Sequence, residues 1–227
     1  MVRPHHLLDL RSRALTASAH NLQQATPTRV VVLASGAGTL LASLIEASYT
    51  ENYPAKIVAV GVDRDCAATE HAGAAGIPAF KVSIKDFADR AAWDLALTSA
   101  VAEHQPDLVV SAGFMKILGP SFLAKFGGRI INTHPALLPA FPGAHAVPDA
   151  MAYGVKVTGS TVHLVDDGVD TGPILAQEPV AVLPDDTESS LHERIKVVER
   201  RLLADVIAAV ATHGVVSDGR KAVIPSE

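Results

Sequence analysis

Apolar residues fall along this chain first in short unbroken runs and later in stripes. Val30, Val31, Val32 and Leu33 follow one another and stop at Ser35-Gly36, which reads as a strand buried on both faces. Leu40, Leu41, Leu44 and Ile45 then recur at helical spacing. The exchange repeats: a strand over 57–62, a helix over 66–75 stopped by Gly76 and Pro78, a short strand over 79–82, a helix over roughly 87–104, and strands at 107–110 and 130–132. Such alternation predicts a single α/β domain with right-handed crossovers and an open, mostly parallel, Rossmann-like sheet with flanking helices. Later, residues 159–165 and 174–182 read as strands. Residues 187–212 read as one long helix whose apolar stripe is Leu191, Ile195, Val198, Leu202 and Val206, with Asp186 or Thr187 able to cap its start. The tail predicts a weak hairpin about Asp218-Gly219. Residues 1–28 carry no sustained pattern. They are expected to form a disordered extension, with at most a helical turn over 7–15, and the folded domain to span 29–227.

Composition narrows the class. Of 227 residues, 48% are apolar, enough for one well-buried core, and the net charge of −5 argues against a dedicated nucleic-acid binder. One cysteine, Cys66, can form no internal disulfide and fits a reducing compartment. No apolar stretch reaches the ~20 residues a bilayer crossing requires, and the first 28 residues lack the apolar segment of a secretory signal, so no membrane partner and a cytoplasmic location are expected.

In an open parallel sheet, ligands sit beyond the carboxyl ends of the strands. The loops at 35–39, 112–118 and 133–145 leave those ends and should converge. Ser35-Gly36-Ala37-Gly38-Thr39 joins a strand to a helix, where backbone amides and the helix dipole can hold an anion. The same turn is also compatible with a purely structural role. A dinucleotide fingerprint would want a third glycine where Leu41 stands and an acid about 20 residues on; Asp63 lies 25 beyond Gly38, so a phosphate monoester fits better than NAD. Asn132 and His134, two apart at a strand end, point the same way. Acyl transfer needs a donor for the oxyanion and a group that moves a proton near neutral pH, and this pair offers both. Asp170, between Gly168 and Gly172-Pro173, sits in a loop of specific shape expected to contain positive-φ positions; beside His134 its charge would favour the imidazolium. His145 and His163 could in principle join His134 on a metal, but no short ligand spacing supports it, and no metal is expected. The charges Glu193, Arg194, Lys196, Glu199, Arg200 and Arg201 read most simply as a solvated helix face.

Three blocks in this order carry a resemblance: Gly113-Phe114-Met115-Lys116-Ile117-Leu118; Asn132-Thr133-His134-Pro135-Ala136-Leu137-Leu138-Pro139; and residues 159–175, from Gly159-Ser160-Thr161-Val162-His163 through Asp166-Asp167-Gly168-Val169-Asp170-Thr171-Gly172-Pro173 to Leu175. Over about residues 29–212 the chain resembles the folate-dependent formyltransferases, within them the branch that serves purine synthesis. The resemblance implies that 10-formyltetrahydrofolate is the co-substrate and glycinamide ribonucleotide the acceptor. It implies His134 as general acid–base, Asn132 as oxyanion donor and Asp170 as the carboxylate that orients His134 and a water. Gly38, Thr39 and Leu40 would hold the nucleotide phosphate through backbone amides. Glu199, with neighbours from Lys196 onward, would reach the ribose hydroxyls. Met115, Lys116, Ile117 and Leu118 would line the pterin slot, with Asn132 and the loop carrying Asp166, Asp167 and Asp170, and Arg90 would contact folate.

The phosphate loop of that family often reads Ser-Gly-x-Gly-Ser-Asn; Thr39 and Leu40 stand in its last two places, so a side-chain contact from position 40 is lost. The tRNA-directed members carry a further C-terminal domain, whereas only 15 residues follow position 212. The formyl-folate hydrolases resemble the chain too but carry an N-terminal regulatory domain, for which the 28-residue extension is too short. A dinucleotide-dependent oxidoreductase is the rival from another class. The oligomeric state stays open, a homodimer included.

Overall fold

The computed structural model describes residues 26–226. The disorder and helical turn expected for the extension over 1–28 fall almost wholly on residues 1–25, outside the described part, and Thr28 already belongs to the first strand.

Thr28–Ala34 forms β1, an inner strand of a seven-stranded sheet. Around it stand β2 (Ala55–Val62), β3 (Ala79–Lys81), β4 (Leu108–Ser111), β5 (Ile130–His134), β6 (Val157–Leu164) and β7 (Ile174–Ala181), in the order β3-β2-β1-β4-β5-β6-β7. The first five strands are parallel; β6 runs antiparallel to β5, and β7 antiparallel to β6. The helices are α1 (Thr39–Ser48), α2 (Ala68–Ala74), α3 (Arg90–Glu103), α4 (Pro120–Phe126), α5 (Ala146–Tyr153) and α6 (Glu188–His213), and a short hairpin of β8 (Val216–Ser217) and β9 (Ala222–Val223) closes the tail where the turn at Asp218-Gly219 was expected.

The unbroken apolar runs have a simple cause. Alternate residues of β1 enter different cores: Val30, Val32 and Ala34 pack with Leu41, Leu203 and Ile207 on one side, and Val31 and Leu33 with Trp93, Leu97 and Phe122 on the other. A strand sandwiched between helix layers has no solvent face and shows no alternation. The parity continues in β5, where Ile131 belongs to the first core and Ile130 to the second.

Some elements depart from expectation. The helix foreseen over 87–104 begins at Arg90, because the Asp89 side chain accepts from the Ala92 amide at 2.8 Å and caps it, while Ile84–Asp86 forms a separate 3-10 turn. Helices α4 and α5 had no counterpart in the pattern. They are seven and eight residues long, too short for a convincing period. The start of α4 is held instead by a distant residue: the buried Asp94 of α3 accepts from the Gly119 amide at 3.0 Å and the Ser121 amide at 2.8 Å. At α6, Thr187 rather than Asp186 is the cap, in a reciprocal box with Ser190, while Asp186 holds Arg194.

Candidate active site

The antiparallel register of β5 and β6 sets His163 directly opposite Asn132 and Thr161 opposite His134. The strand therefore brings a second histidine to the expected pair. Asn132 Nδ2 lies 3.2 Å from His163 Nε2, and His163 Nδ1 lies 2.8 Å from the Leu164 carbonyl. Nδ1–H donates to Leu164, Nε2 stands between the Asn132 amide and the Asp170 carboxylate, and Asn132 keeps an Nδ2 hydrogen for a substrate oxygen.

His134 is 4% exposed. Its Nε2–H donates to the Phe141 carbonyl at 2.7 Å, and its Nδ1 faces Asp170 Oδ2 at 3.3 Å. Both ring nitrogens thus meet oxygen atoms, one of them a carboxylate. Asp170 Oδ2 also accepts from the Gly143 amide at 2.8 Å, and Oδ1 lies 3.7 Å from His163 Nε2. The His163 ring, against the opposing effect of burial and with help from the Gly143 amide and His134, holds the Asp170 carboxyl below its usual range. Asn132, His134 and Asp170 thus meet, although 38 positions separate the first from the last. The loop between β5 and α5 is pinned behind them: Thr161 Oγ1 donates to the Ala136 carbonyl at 2.7 Å and accepts from the Leu138 amide at 3.0 Å.

The loop carrying Asp170 has the special shape expected, but the glycines do a different job. The positive φ belongs to Asp170 itself, at 55°, an αL conformation that aspartate tolerates through its short polar side chain. Gly172 is required by proximity, since a Cβ there would lie 1.8 Å from the Leu164 carbonyl oxygen. Asp166 accepts from the Gly168 amide at 3.1 Å and the Thr171 hydroxyl at 2.6 Å and so holds the loop together, while Asp167 is exposed.

Across from these groups lie the other two loops, and they do touch. The Met115 amide donates to Ser35 Oγ at 2.8 Å. Met115 and Ile117 are 70% and 60% exposed, whereas Leu118 is buried. Arg90 donates to the Ile117 carbonyl, so it braces this loop from behind. Lys116 turns away from Met115 to Asp63, at 3.2 Å, across a polar cavity of about 460 Å³ that Arg64, Asp65, Lys81 and Lys85 also line. Burial opposes ionisation of Asp63, yet Arg64, Ser35 and Lys116 bring its carboxyl down to about 2. An acid so engaged is not free to accept from a dinucleotide ribose, which weighs against the oxidoreductase reading. In the β1–α1 turn, Gly38 has φ 71° and a Cβ there would lie 2.8 Å from Ala68 Cα. Thr39 is exposed and opens α1; Leu40 packs against the core, so only its backbone can meet a ligand.

Glu199 corrects the picture of a solvated helix face. It is 5% exposed, while Lys196 pairs with Glu193 at 2.8 Å near the surface. Burial, opposed by the Thr133 hydroxyl and by Lys196 and Arg200, raises the Glu199 carboxyl from 4.5 to about 7. The folded chain thus keeps a proton that the unfolded chain releases near 4.5, and stability falls as pH rises from there to about 7. Glu199→Gln is expected to raise stability at pH 8 by up to ~3 kcal/mol, with the advantage shrinking at acid pH. Thermal melts of both proteins at pH 8 and pH 4.5 check this; an equal difference at both would contradict it.

Among the described residues, no helix is long and apolar enough to cross a membrane, and no three His, Cys, Asp or Glu side chains cluster as metal ligands. Residues 28–207 match the formyl transferase family. The chain is 65% identical over 196 residues, 86% of its length and 91% of the relative's, to the phosphoribosylglycinamide formyltransferase of Mycobacterium tuberculosis (strain ATCC 25618 / H37Rv). Its fold matches the crystal structure of glycinamide ribonucleotide transformylase 1 from Symbiobacterium toebii with a TM-score of 0.89 at 38% identity, covering 92% of this chain and 100% of that one. A formyltetrahydrofolate deformylase from Pseudomonas syringae pv. tomato str. DC3000 also matches, with a TM-score of 0.83 at 29% identity, covering 89% of this chain and 67% of that one.

Proposed function

The chain belongs to the formyl transferase family, and from that premise we propose that it transfers the formyl group of 10-formyltetrahydrofolate to the amine of glycinamide ribonucleotide, a step of purine synthesis. The observation that carries this reading is the meeting of Asn132, His134 and Asp170 beyond the end of β5, in a chain that is 65% identical to a phosphoribosylglycinamide formyltransferase.

The reaction is a direct transfer. The glycinamide nitrogen attacks the formyl carbon on N10, a carbon–nitrogen bond forms, and the carbonyl oxygen becomes an oxyanion. Asn132 Nδ2–H stabilises that oxygen, together with the His134 Nε2–H, which leaves the Phe141 carbonyl to donate to it. Collapse breaks the bond to N10, the amine gives up one proton and N10 takes one, through His134 or a water held by Asp170. Asp170 keeps His134 oriented and its positive charge matched. The phosphate sits on the backbone amides of Gly38, Thr39 and Leu40, and Glu199, with Lys196 as its neighbour, accepts from the ribose hydroxyls. The pterin lies along Met115, Ile117 and Leu118, with Lys116 and Arg90 supporting that loop and Asn132, Asp166, Asp167 and Asp170 closing the other side.

The fold is shared with a formyl-folate hydrolase, so water is the acceptor to exclude. Purified full-length chain with 10-formyltetrahydrofolate is followed by folate absorbance, with glycinamide ribonucleotide or with water as sole acceptor. Transfer predicts release of tetrahydrofolate that depends on the ribonucleotide and yields its formyl derivative. An equal rate without it would replace the reading by hydrolysis.

A further inference from the structure

Thr133 stands between Asn132 and His134 in β5, and the alternation of the strand turns its side chain to the opposite face. There its hydroxyl donates to Glu199 Oε1 at 3.1 Å, and it lies 3.3 Å from Ser160 Oγ. All three residues are buried, at 8%, 5% and 0% exposure. A buried hydroxyl has one hydrogen to give, and Thr133 gives it to the carboxylate, so Ser160 donates to Thr133 and the three form a directed chain from β6 through β5 to α6. We propose that Thr133 is a positioning residue that fixes the Glu199 carboxylate for the ribose hydroxyls of the nucleotide substrate, so that one strand carries the reacting groups on one face and sets the substrate-holding group on the other. This rests on the assignment of Glu199 to the ribose made above.

A carboxylate that accepts from Thr133 with one oxygen has a fixed rotamer and offers the other oxygen to ligand. The charges that reach Glu199 are Lys196 and Arg200 of its own helix. From β5 it meets the Thr133 hydroxyl, which Ser160 of β6 backs in turn. Removing the Thr133 hydroxyl takes away the strongest influence that lowers the Glu199 carboxyl, so ionisation of Glu199 moves to still higher pH.

The test uses the full chain with steady-state kinetics in both substrates across pH 6–9. Thr133→Val keeps the shape and removes the hydroxyl. It is expected to raise KM for glycinamide ribonucleotide about tenfold, the cost of one hydrogen bond to a charged group, with a smaller change in kcat and none in KM for the folate. The pH at which nucleotide KM inflects should move up, and Thr133→Ser should restore both. Ser160→Ala should act in the same direction more weakly, and serves if Thr133→Val folds poorly. In a Glu199→Gln background Thr133→Val should add nothing. A nucleotide KM and pH profile unchanged in Thr133→Val, while Glu199→Gln raises that KM, would overturn the positioning role alone. A nucleotide KM unchanged in Glu199→Gln would overturn the ribose assignment and the proposal with it. Loss confined to kcat would mean that Thr133 acts on the neighbouring reacting groups instead, and would also overturn it.

Discussion

His134→Ala is expected to lower kcat by about 10³-fold or more while nucleotide KM changes only a few-fold. In the proposed mechanism the imidazole contributes twice. It donates to the oxyanion, and the loss of one such donor removes ~10²–10³ in rate. It also moves a proton, worth a further ~10²-fold at least. Neither contribution exists before the tetrahedral state forms, so ground-state binding is spared. The alanine also leaves a space between the Phe141 carbonyl and Asp170, both of which lose their partner. The measurement is steady-state turnover with circular dichroism to establish folding. A folded variant whose turnover stays within a few-fold of the parent would remove His134 from the mechanism.

Asp170→Asn is the companion experiment, with an expected fall in kcat of about 10²–10³-fold. Asparagine accepts the αL backbone at φ 55° as readily as aspartate, so the loop keeps its shape and only the charge goes. The amide oxygen can accept from the Gly143 amide or face His134, and the amide nitrogen then presents hydrogens to whichever ring it meets. The imidazolium loses its counter-charge. Thermal stability is expected to change little, which separates this variant from one that collapses the loop. Wild-type kcat in Asp170→Asn would show that the carboxylate charge plays no part.

The sheet was legible because a strand packed on both faces writes itself as an apolar run, and β1, β2 and β4 all do so. The motif blocks singled out Asn132, His134 and Asp170, which the fold brings to one place. His163 was not, because its importance comes from lying opposite Asn132 across an antiparallel pair, and no local spacing records cross-strand register. Glu199 was legible in principle. It falls four residues after Ile195 and three before Leu202, inside the buried stripe of α6, and only the abundance of charge around it made it look like surface. The glycines of the 168–172 segment signalled a positive-φ loop, and it is there, but at Asp170, while Gly172 serves close approach to a carbonyl oxygen. Helix α4 depends on Asp94 from another helix, so its own seven residues carry too little information.

The division of β5 into two faces bears on how such a chain can change length over time. Odd and even positions have incompatible duties, and the whole strand is only five residues long. Gain or loss of one codon inside it would exchange those duties at every later position. The segment after the strand is tied to His134 and Asp170 through Phe141 and Gly143, so length variation among descendants of this gene should leave both untouched and gather in connections that carry no such contacts.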